Sequence, residues 1–210
     1  MAKRKNKTER RIEGDLLKIL LFFGFLILVF MISSAFFKSL SKFDYQGLEF
    51  SKDKYGELPV FKYYYIFNAP SGQLIKYTLV LKTDPRKNEV PIEGDKIEFM
   101  RGKPIFITSS EAELGSCRER IVALATLSAF LTDNQLKVQG AINDYNESVF
   151  YNQKYITCEN RPNNLVIEFN SGDETKIEIN GDCHKITVSP DCDIVKAVEK
   201  YELQSVLDAR

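Results

Sequence analysis

The sequence lacks several features that commonly indicate a function. It contains no tryptophan, one histidine and no excess of either charge, because 29 basic and 29 acidic residues cancel. Nucleic-acid-binding proteins usually carry a basic excess, so we predict no nucleic-acid partner. No internal repeat, metal motif, nucleotide fingerprint or G-x-S-x-G motif is present, and one histidine gives no basis for a Ser-His-Asp triad. We predict no cofactor, although a carboxylate pair would leave no local signature of an enzyme.

What the sequence does contain is a long uncharged segment. Residues 19–37 lie between two lysines and include fourteen Leu, Ile, Phe or Val residues. As a helix, the segment would be about 28 Å long, close to the hydrocarbon thickness of a bilayer. It has no polar face, which a core helix of a soluble protein would show. We therefore predict a transmembrane helix from Ile19 to Phe37, with the lipid bilayer as its partner.

Flanking charge predicts the orientation of this helix. Residues 1–18 hold seven Lys and Arg residues, whereas the 18 residues after Phe37 hold four lysines. Because the more basic flank stays in the cytoplasm, we expect 1–18 to be a cytoplasmic basic segment and the C-terminal domain to lie outside.

The favoured interpretation of the apolar run is an uncleaved signal anchor. A cleaved signal peptide is an alternative, since Ser33-Ser34-Ala35 resembles a small-x-small cleavage site. The long charged segment before the run counts against cleavage. A third alternative is a type IV pilin-like leader cut after Gly14, although Glu13 and Ile19 stand where that family has a basic residue and a glutamate. All three place residues 44–210 outside the cytosol.

Four cysteines are present, which in an exported domain predicts two disulfides: Cys117, Cys158, Cys183 and Cys192. Gaps of 41, 25 and 9 positions lack the close ligand pairs of a zinc site, and free buried cysteines are the other alternative. A strand predicted at 184–188 would hold Cys183 and Cys192 about 16 Å apart. We therefore favour Cys158–Cys183, which leaves Cys117–Cys192 at the first turns of two predicted helices. Sequence alone leaves all three pairings open.

The segment after the apolar run predicts an α+β fold. Residues 38–58 are expected to form a juxtamembrane stalk, followed by an extracytoplasmic domain over 59–210. A hairpin is predicted from 59–68 and 74–82, which flank the turn sequence NAPSGQ. A polar loop at 83–95 and strands at 96–99 and 103–109 follow. Ser116 and Glu119 match a capping box for a core helix over 116–131, and a strand at 136–143 completes a strand-helix-strand unit.

The tail predicts four further strands and a closing helix. The strands are placed at 155–158, 164–169, 174–180 and 183–188. A Gly181-Asp182 turn would set Ile177 opposite Ile186, whereas the alternative turn would set two lysines opposite each other. Ser189-Pro190 then predicts the start of a helix that runs to about Leu207. The predicted architecture is an N-terminal transmembrane helix followed by a mixed or antiparallel sheet with two main helices.

Four features could form a site, and the first three have an ordinary structural explanation. His184 follows Cys183, but neighbours on a strand point to opposite faces, so we expect a structural or surface histidine. The loop SSEAELGS (109–116) precedes a helix but matches no phosphate-binding motif, so we expect capping. The aromatic run from Phe61 to Phe67 suits sheet packing, with Tyr64 on the opposite face. Asn146-Glu147-Ser148 is a glycosylation sequon, so we predict Asn146 as an acceptor site.

Two stretches carry a resemblance. IKYTLVLKTDPRKNEVPI (75–92) and ETKIEINGDCHKITV (174–188), with the closing helix, resemble uncharacterised single-pass surface proteins of small archaea. The resemblance implies an exported archaeal protein, and it supplies no activity and no site residues.

Together these features predict a membrane-anchored extracytoplasmic domain that acts by binding or assembly in the cell envelope, with an envelope protein or glycan as partner. The alternatives are an anchored hydrolase, using carboxylates or Ser109 and Ser110, and a pilin-like subunit. A hydrolase should show titratable groups that converge in a concave pocket, whereas a binding module should show an exposed apolar or aromatic patch.

Overall fold

The computed structural model describes residues 7–100, 102–161 and 163–210, with side chains from residue 16 onwards except those of 35–40. The chain divides into two compact units, Met1–Phe43 and Asp44–Arg210, and each is described by itself. Residues 1–6 of the predicted cytoplasmic segment lie outside the described residues, as do the side chains at the end of the predicted span.

The first unit contains one long helix, α1 (Lys7–Leu40). Its Leu16–Ser34 window is nineteen residues long and apolar enough to cross a membrane, and none of it is buried against protein. An N-terminal apolar helix is thereby confirmed, beginning three residues before the predicted start of the span. By length and composition, this window fits a membrane anchor or a signal peptide.

The first sheet of the second unit has four strands in chain order: β1 (Lys42–Tyr45), β2 (Leu48–Tyr55), β3 (Leu58–Asn68) and β4 (Leu74–Leu81). β3 and β4 pair antiparallel with Tyr65 opposite Tyr77, which confirms the predicted hairpin. In β4, Leu79 and Leu81 are buried while Val80 between them is exposed, as the alternation of a half-buried strand requires.

The expected stalk at 38–58 needs correction, because this segment contains β1 and β2. Leu48 and Phe50 are fully buried on one face of β2, which pairs antiparallel with β3. The burial of these two side chains makes the segment part of the folded sheet. The high charge of the alternate positions conceals this pattern in the sequence.

The second sheet has six strands in the order β5-β9-β10-β8-β6-β7. β9 and β10 are antiparallel, and the other neighbours are parallel. The bounds are β5 (Ile92–Gly94), β6 (Pro104–Thr108), β7 (Lys137–Ala141), β8 (Val166–Ser171), β9 (Lys176–Asn180) and β10 (Cys183–Val188). The predicted β9–β10 register is confirmed, with Ile177 opposite Ile186 and Ile179 opposite His184.

Two main helices, α3 (Arg120–Asp133) and α5 (Ile194–Asp208), complete the predicted α+β architecture. α5 contacts both sheets: the Tyr201 side chain reaches His184 of β10, and the Glu199 carboxylate accepts the N–H of Lys82 just after β4. Shorter helices lie at α2 (Glu111–Leu114) and α4 (Tyr145–Phe150), and a 3₁₀ turn at Pro85–Lys87. Burial on both sides explains why even polar positions of α5 are enclosed.

Two predicted strands do not form. Residues 96–99 are not part of a sheet, and the Ile97 N–H donates to the Asp208 carboxylate (2.9 Å) instead of a neighbouring strand. Residues 155–158 make an isolated bridge at Tyr155, because the Cys158 N–H donates to the Glu168 side chain (2.7 Å). In both places a buried or half-buried carboxylate replaces a ladder partner.

Both main helices begin later than predicted. α3 begins at Arg120, and the side chain that caps a helix in this region is Ser110, which accepts the Glu113 N–H of α2. Ile121 and Val122 are exposed, so α3 is buried on one side rather than all round. α5 begins at Ile194, because the Ser189 N–H and hydroxyl are both bonded to Thr175.

Two disulfides close within the second unit, at Cys117–Cys192 (S–S 2.05 Å) and Cys158–Cys183 (2.02 Å). These are the pairs that the sequence favours. Cys117 and Cys192 lie in the turns before α3 and α5 rather than in the first turns of those helices. Cys117–Cys192, the outer bridge because it encloses the other pair in sequence, therefore ties the starts of the two main helices together.

Candidate functional site

The site begins with a row of aromatic rings along β3. Because alternate residues of a strand share a face, Tyr63, Tyr65 and Phe67 line one side of the first sheet while Tyr64 and Ile66 lie on the other. Ring centroids are 5.9 Å apart from Tyr63 to Tyr65 and 6.0 Å apart from Tyr65 to Phe67. The row is fixed at one end by Phe50, 5.6 Å from Tyr63.

The aromatic row forms one wall of a groove with a volume of about 590 Å³, within the usual range of ligand pockets. The opposite wall comes from the 97–99 segment, the end of α3 and the end of α5. We call this feature the aromatic groove and define it by the residues that line it: Tyr63, Tyr65, Ile66, Phe67, Ile97, Glu98, Phe99, Phe130, Asn134, Leu136, Ser205, Val206, Asp208, Ala209 and Arg210.

Two polar contacts hold the walls of the aromatic groove in place. The Tyr65 hydroxyl donates to Asn134 Oδ1 (2.7 Å), which ties β3 to the end of α3. The Asp208 carboxylate accepts both the Ile97 N–H (2.9 Å) and Gln204 Nε2 (2.8 Å), which ties the 97–99 segment to α5. The groove is therefore built from four segments, β3, 97–99 and the ends of α3 and α5, and these hydrogen bonds join them.

A buried carboxyl lies next to this wall. Burial, with a smaller contribution from the neighbouring Glu199, raises the pKa of Glu202 to about 8, so its side chain is protonated at neutral pH. Burial likewise raises the pKa of Tyr65 to about 12. Within the described part of the chain, Glu202 Oε1 has no hydrogen-bond partner. The charged side chains that line the groove are Glu98, Asp208 and Arg210.

No protein-family model matches this chain, and neither a curated protein nor a solved structure matches it. The candidate site is therefore defined by its geometry alone.

His184 is a structural residue, as one of the two expectations had it. Its ring is fully buried, with Nδ1 2.6 Å from the Tyr201 hydroxyl and Nε2 3.0 Å from the Gly181 carbonyl. A carbonyl accepts only, so Nε2 carries the proton and donates while Nδ1 accepts from Tyr201. Burial lowers the pKa of His184 to about 4, so the ring is neutral at pH 7.

Of the two serines considered for a hydrolase, Ser110 has a structural role. Ser110 is buried and its hydroxyl caps α2 by accepting the Glu113 N–H (3.1 Å). The Glu147 side chain accepts the N–H groups of Glu111 (2.8 Å) and Ala112 (2.6 Å) at the same helix start. The capping interpretation of the 109–116 loop is therefore confirmed for Ser110. Among the described residues, no group of three or more His, Cys, Asp or Glu side chains could hold a metal ion.

Asn146 lies exposed in the first turn of α4. Ser148, the third residue of its sequon, is buried and donates its hydroxyl hydrogen to the Tyr145 carbonyl (2.7 Å). An acceptor asparagine on the surface is compatible with modification, which stays a prediction.

A second aromatic surface surrounds α4. Phe150 is 81% exposed and its ring centroid lies 4.9 Å from that of Tyr151, while Tyr145 and Tyr155 form another edge-to-face pair at 5.7 Å. The outer face of the first sheet also exposes Tyr64 and Ile66. The strand alternation predicts the outward position of Tyr64, whereas the α4 cluster has a weaker signal, four large apolar or aromatic residues within 145–151.

Proposed function

We propose that this protein is a membrane-tethered domain outside the cytosol that binds a ligand or partner in the cell envelope through the aromatic groove. The observation that carries the proposal is the groove itself: a concave site of about 590 Å³ with a row of three neighbouring aromatic rings of β3 along one wall. Large aromatic faces with a few fixed polar groups are typical of binding pockets.

The tether and its orientation rest on the N-terminus. The apolar Leu16–Ser34 window of α1 supports membrane attachment, and the seven basic residues in 1–18 support a cytoplasmic N-terminus. Two disulfides suit an oxidising compartment, which agrees with a domain outside the cytosol. The archaeal setting is part of the same proposal and rests on the sequence resemblance alone.

Binding is better supported than hydrolysis. Both oxygens of Asp208 already accept hydrogen bonds that hold the groove together, and Ser205 donates its hydroxyl hydrogen to the Glu202 carbonyl (2.8 Å). His184 is occupied between Tyr201 and Gly181. The Asp208 carboxylate and the Ser205 hydroxyl are thus committed to structural hydrogen bonds, which leaves the aromatic side chains and Glu98 as the candidate ligand-binding groups of the lining.

Protease accessibility in intact cells tests the topology. We expect external protease to cut residues 44–210 in intact cells and to leave an N-terminal tag protected, since the basic flank should remain inside. Replacing the seven basic residues of 1–18 by glutamine should reduce the accessible fraction. If the domain is cut only after lysis, with its four cysteines reduced, the proposed location is wrong.

A further inference from the structure

The lining of the aromatic groove combines π-faces with a small excess of negative charge. Five aromatic side chains contribute to it: Tyr63, Tyr65, Phe67, Phe99 and Phe130. The charged lining side chains are two carboxylates, Glu98 and Asp208, and one guanidinium, Arg210, which gives a formal side-chain charge of −1. An aromatic face is the negative end of the ring quadrupole, so rings and carboxylates attract the same kind of ligand charge.

We infer that the aromatic groove binds a small soluble molecule that carries an organic ammonium group. This inference rests on the proposed function and names the chemical class of ligand for the same site. An alkyl-substituted ammonium group is hydrated weakly enough to leave water for a ring face, and its charge is balanced by the lining carboxylates Glu98 and Asp208.

The same strand already shows this type of contact on its other face. Lys76 Nζ lies over the Tyr64 ring, 4.9 Å from the centroid, on the outer side of the first sheet. Tyr63 and Tyr65 of the same strand line the groove, and the described lining includes no lysine. A ligand ammonium would therefore make inside the groove the contact that Lys76 makes outside it.

Other ligand charges fit the lining less well. An anion would be repelled by the carboxylates of Glu98 and Asp208, and Arg210 is the one cationic side chain in the described lining. The Arg210 guanidinium already donates to the Gln46 carbonyl (3.5 Å). A purely apolar ligand would make no use of the lining carboxylates. Charge complementarity thus favours a cation with apolar substituents.

Ligand-observed NMR titration of the full chain in maltoside micelles, with both disulfides intact, tests the inference. The probe is choline, and the control is 3,3-dimethylbutan-1-ol, which has the same shape without the charge. We expect choline to bind about five-fold more tightly or better, because the neutral molecule lacks the cation–π and carboxylate attraction.

Matched variants locate the site. Tyr63→Leu keeps an apolar side chain but removes a ring from the groove, and we expect choline affinity to fall about two- to five-fold. Tyr64→Leu removes the neighbouring ring on the opposite face and should leave affinity unchanged. Glu98→Gln should weaken binding at low salt, with a smaller effect at high salt, whereas exposed Glu93→Gln should not.

Four results would overturn the inference. The first is an equal loss of affinity in Tyr63→Leu and Tyr64→Leu. The second is tighter binding of the neutral probe than of choline. If Tyr63→Leu also weakens binding of the neutral probe, the groove is a binding site, but for uncharged ligands. The third is loss of choline binding when phosphatidylcholine is added, which assigns the groove to a lipid headgroup. The fourth is absence of binding by both probes, and in that case protease accessibility still judges the proposed location.

Discussion

At the scale of single residues, the least expected group is the buried Glu202. It is 1% exposed on α5, and burial keeps its carboxyl protonated beside Tyr65 and Tyr77. Its neighbour Glu199 is stabilised differently, because the backbone N–H groups of Lys82 (2.6 Å) and Thr83 (3.0 Å) donate to its carboxylate. Backbone hydrogen bonds thus stabilise the buried Glu199 side chain, whereas Glu202 is buried as the protonated, uncharged acid.

Glu202 predicts a loss of stability as the pH rises toward 8. Its pKa rises from an ordinary 4.5 to about 8 in the folded state, so the folded chain binds the proton more tightly than the unfolded chain. Because the lowered pKa of His184 contributes in the opposite direction below pH 6.5, the free energy of unfolding should fall mainly between about pH 6.5 and 8, by up to about 1.4 kcal/mol per pH unit, and then level off. Urea unfolding of the full chain at pH 5 to 9, followed by tyrosine near-UV circular dichroism, measures the slope.

Glu202→Gln should remove most of this loss, while exposed Glu93→Gln should keep it. His184 acts in the opposite direction, because its pKa is lowered from 6.5 to about 4 and its contribution is lost as pH falls through that window. In Glu202→Gln, stability should therefore rise between pH 4 and 6.5 and then stay level. A wild-type slope that persists in the variant would contradict the assignment to Glu202.

At the scale of elements, the sequence predicted those whose signal is local. The β9–β10 hairpin followed from the identities of the residues that face each other, and the β3–β4 hairpin from a Pro/Ser/Gly turn between alternating strands. Elements decided by distant partners were misassigned. Residues 96–99 have a strand composition, but Asp208, more than a hundred residues later, takes the Ile97 N–H.

The aromatic groove was predictable in part for the same reason. The β3 alternation places Tyr63, Tyr65 and Phe67 on one face, and this is visible in the sequence. The facing wall is not, because Phe99 and Phe130 reach it through the packing of a loop and a helix. Sequence periodicity describes one element at a time and carries no information about which element covers it.

The close approach of β5 and β9 gives a prediction at this scale. Gly94 has φ +102°, and a Cβ there would collide with the Ile179 carbonyl oxygen of β9. We expect Gly94→Ala to lower the free energy of unfolding by about 2 to 4 kcal/mol, because strain and overlap add. Urea unfolding measures the loss.

Gly72→Ala is the matched control, since Gly72 has φ +80° and a Cβ at this position would have no atom within 4 Å. It carries the backbone strain without the collision and should cost about 1 kcal/mol. Equal losses in the two variants would show that the approach of β9 contributes nothing.

At the scale of the whole molecule, the two disulfides connect distant parts of the second unit. Cys117–Cys192 spans 75 positions and Cys158–Cys183 spans 25. Because a disulfide restricts the unfolded chain, removing Cys117–Cys192 should lower the free energy of unfolding by about 4.5 kcal/mol, and removing Cys158–Cys183 by about 3.5 kcal/mol. Paired Cys→Ala variants, compared by urea unfolding, test this order; a larger loss for the inner pair would contradict it.

The bridges are also nested, since positions 158 and 183 both fall between 117 and 192. If the domain crosses the membrane in chain order, the first thiol to emerge on the outer side is that of Cys117. The next is that of Cys158, which is not the partner of Cys117. The native partner of Cys117 comes last of the four. Oxidation in order of arrival would therefore join Cys117 to Cys158, which is a non-native pair. Correct pairing requires that Cys117 stay reduced until Cys192 has crossed the membrane, or that a thiol–disulfide isomerase rearrange the first bond.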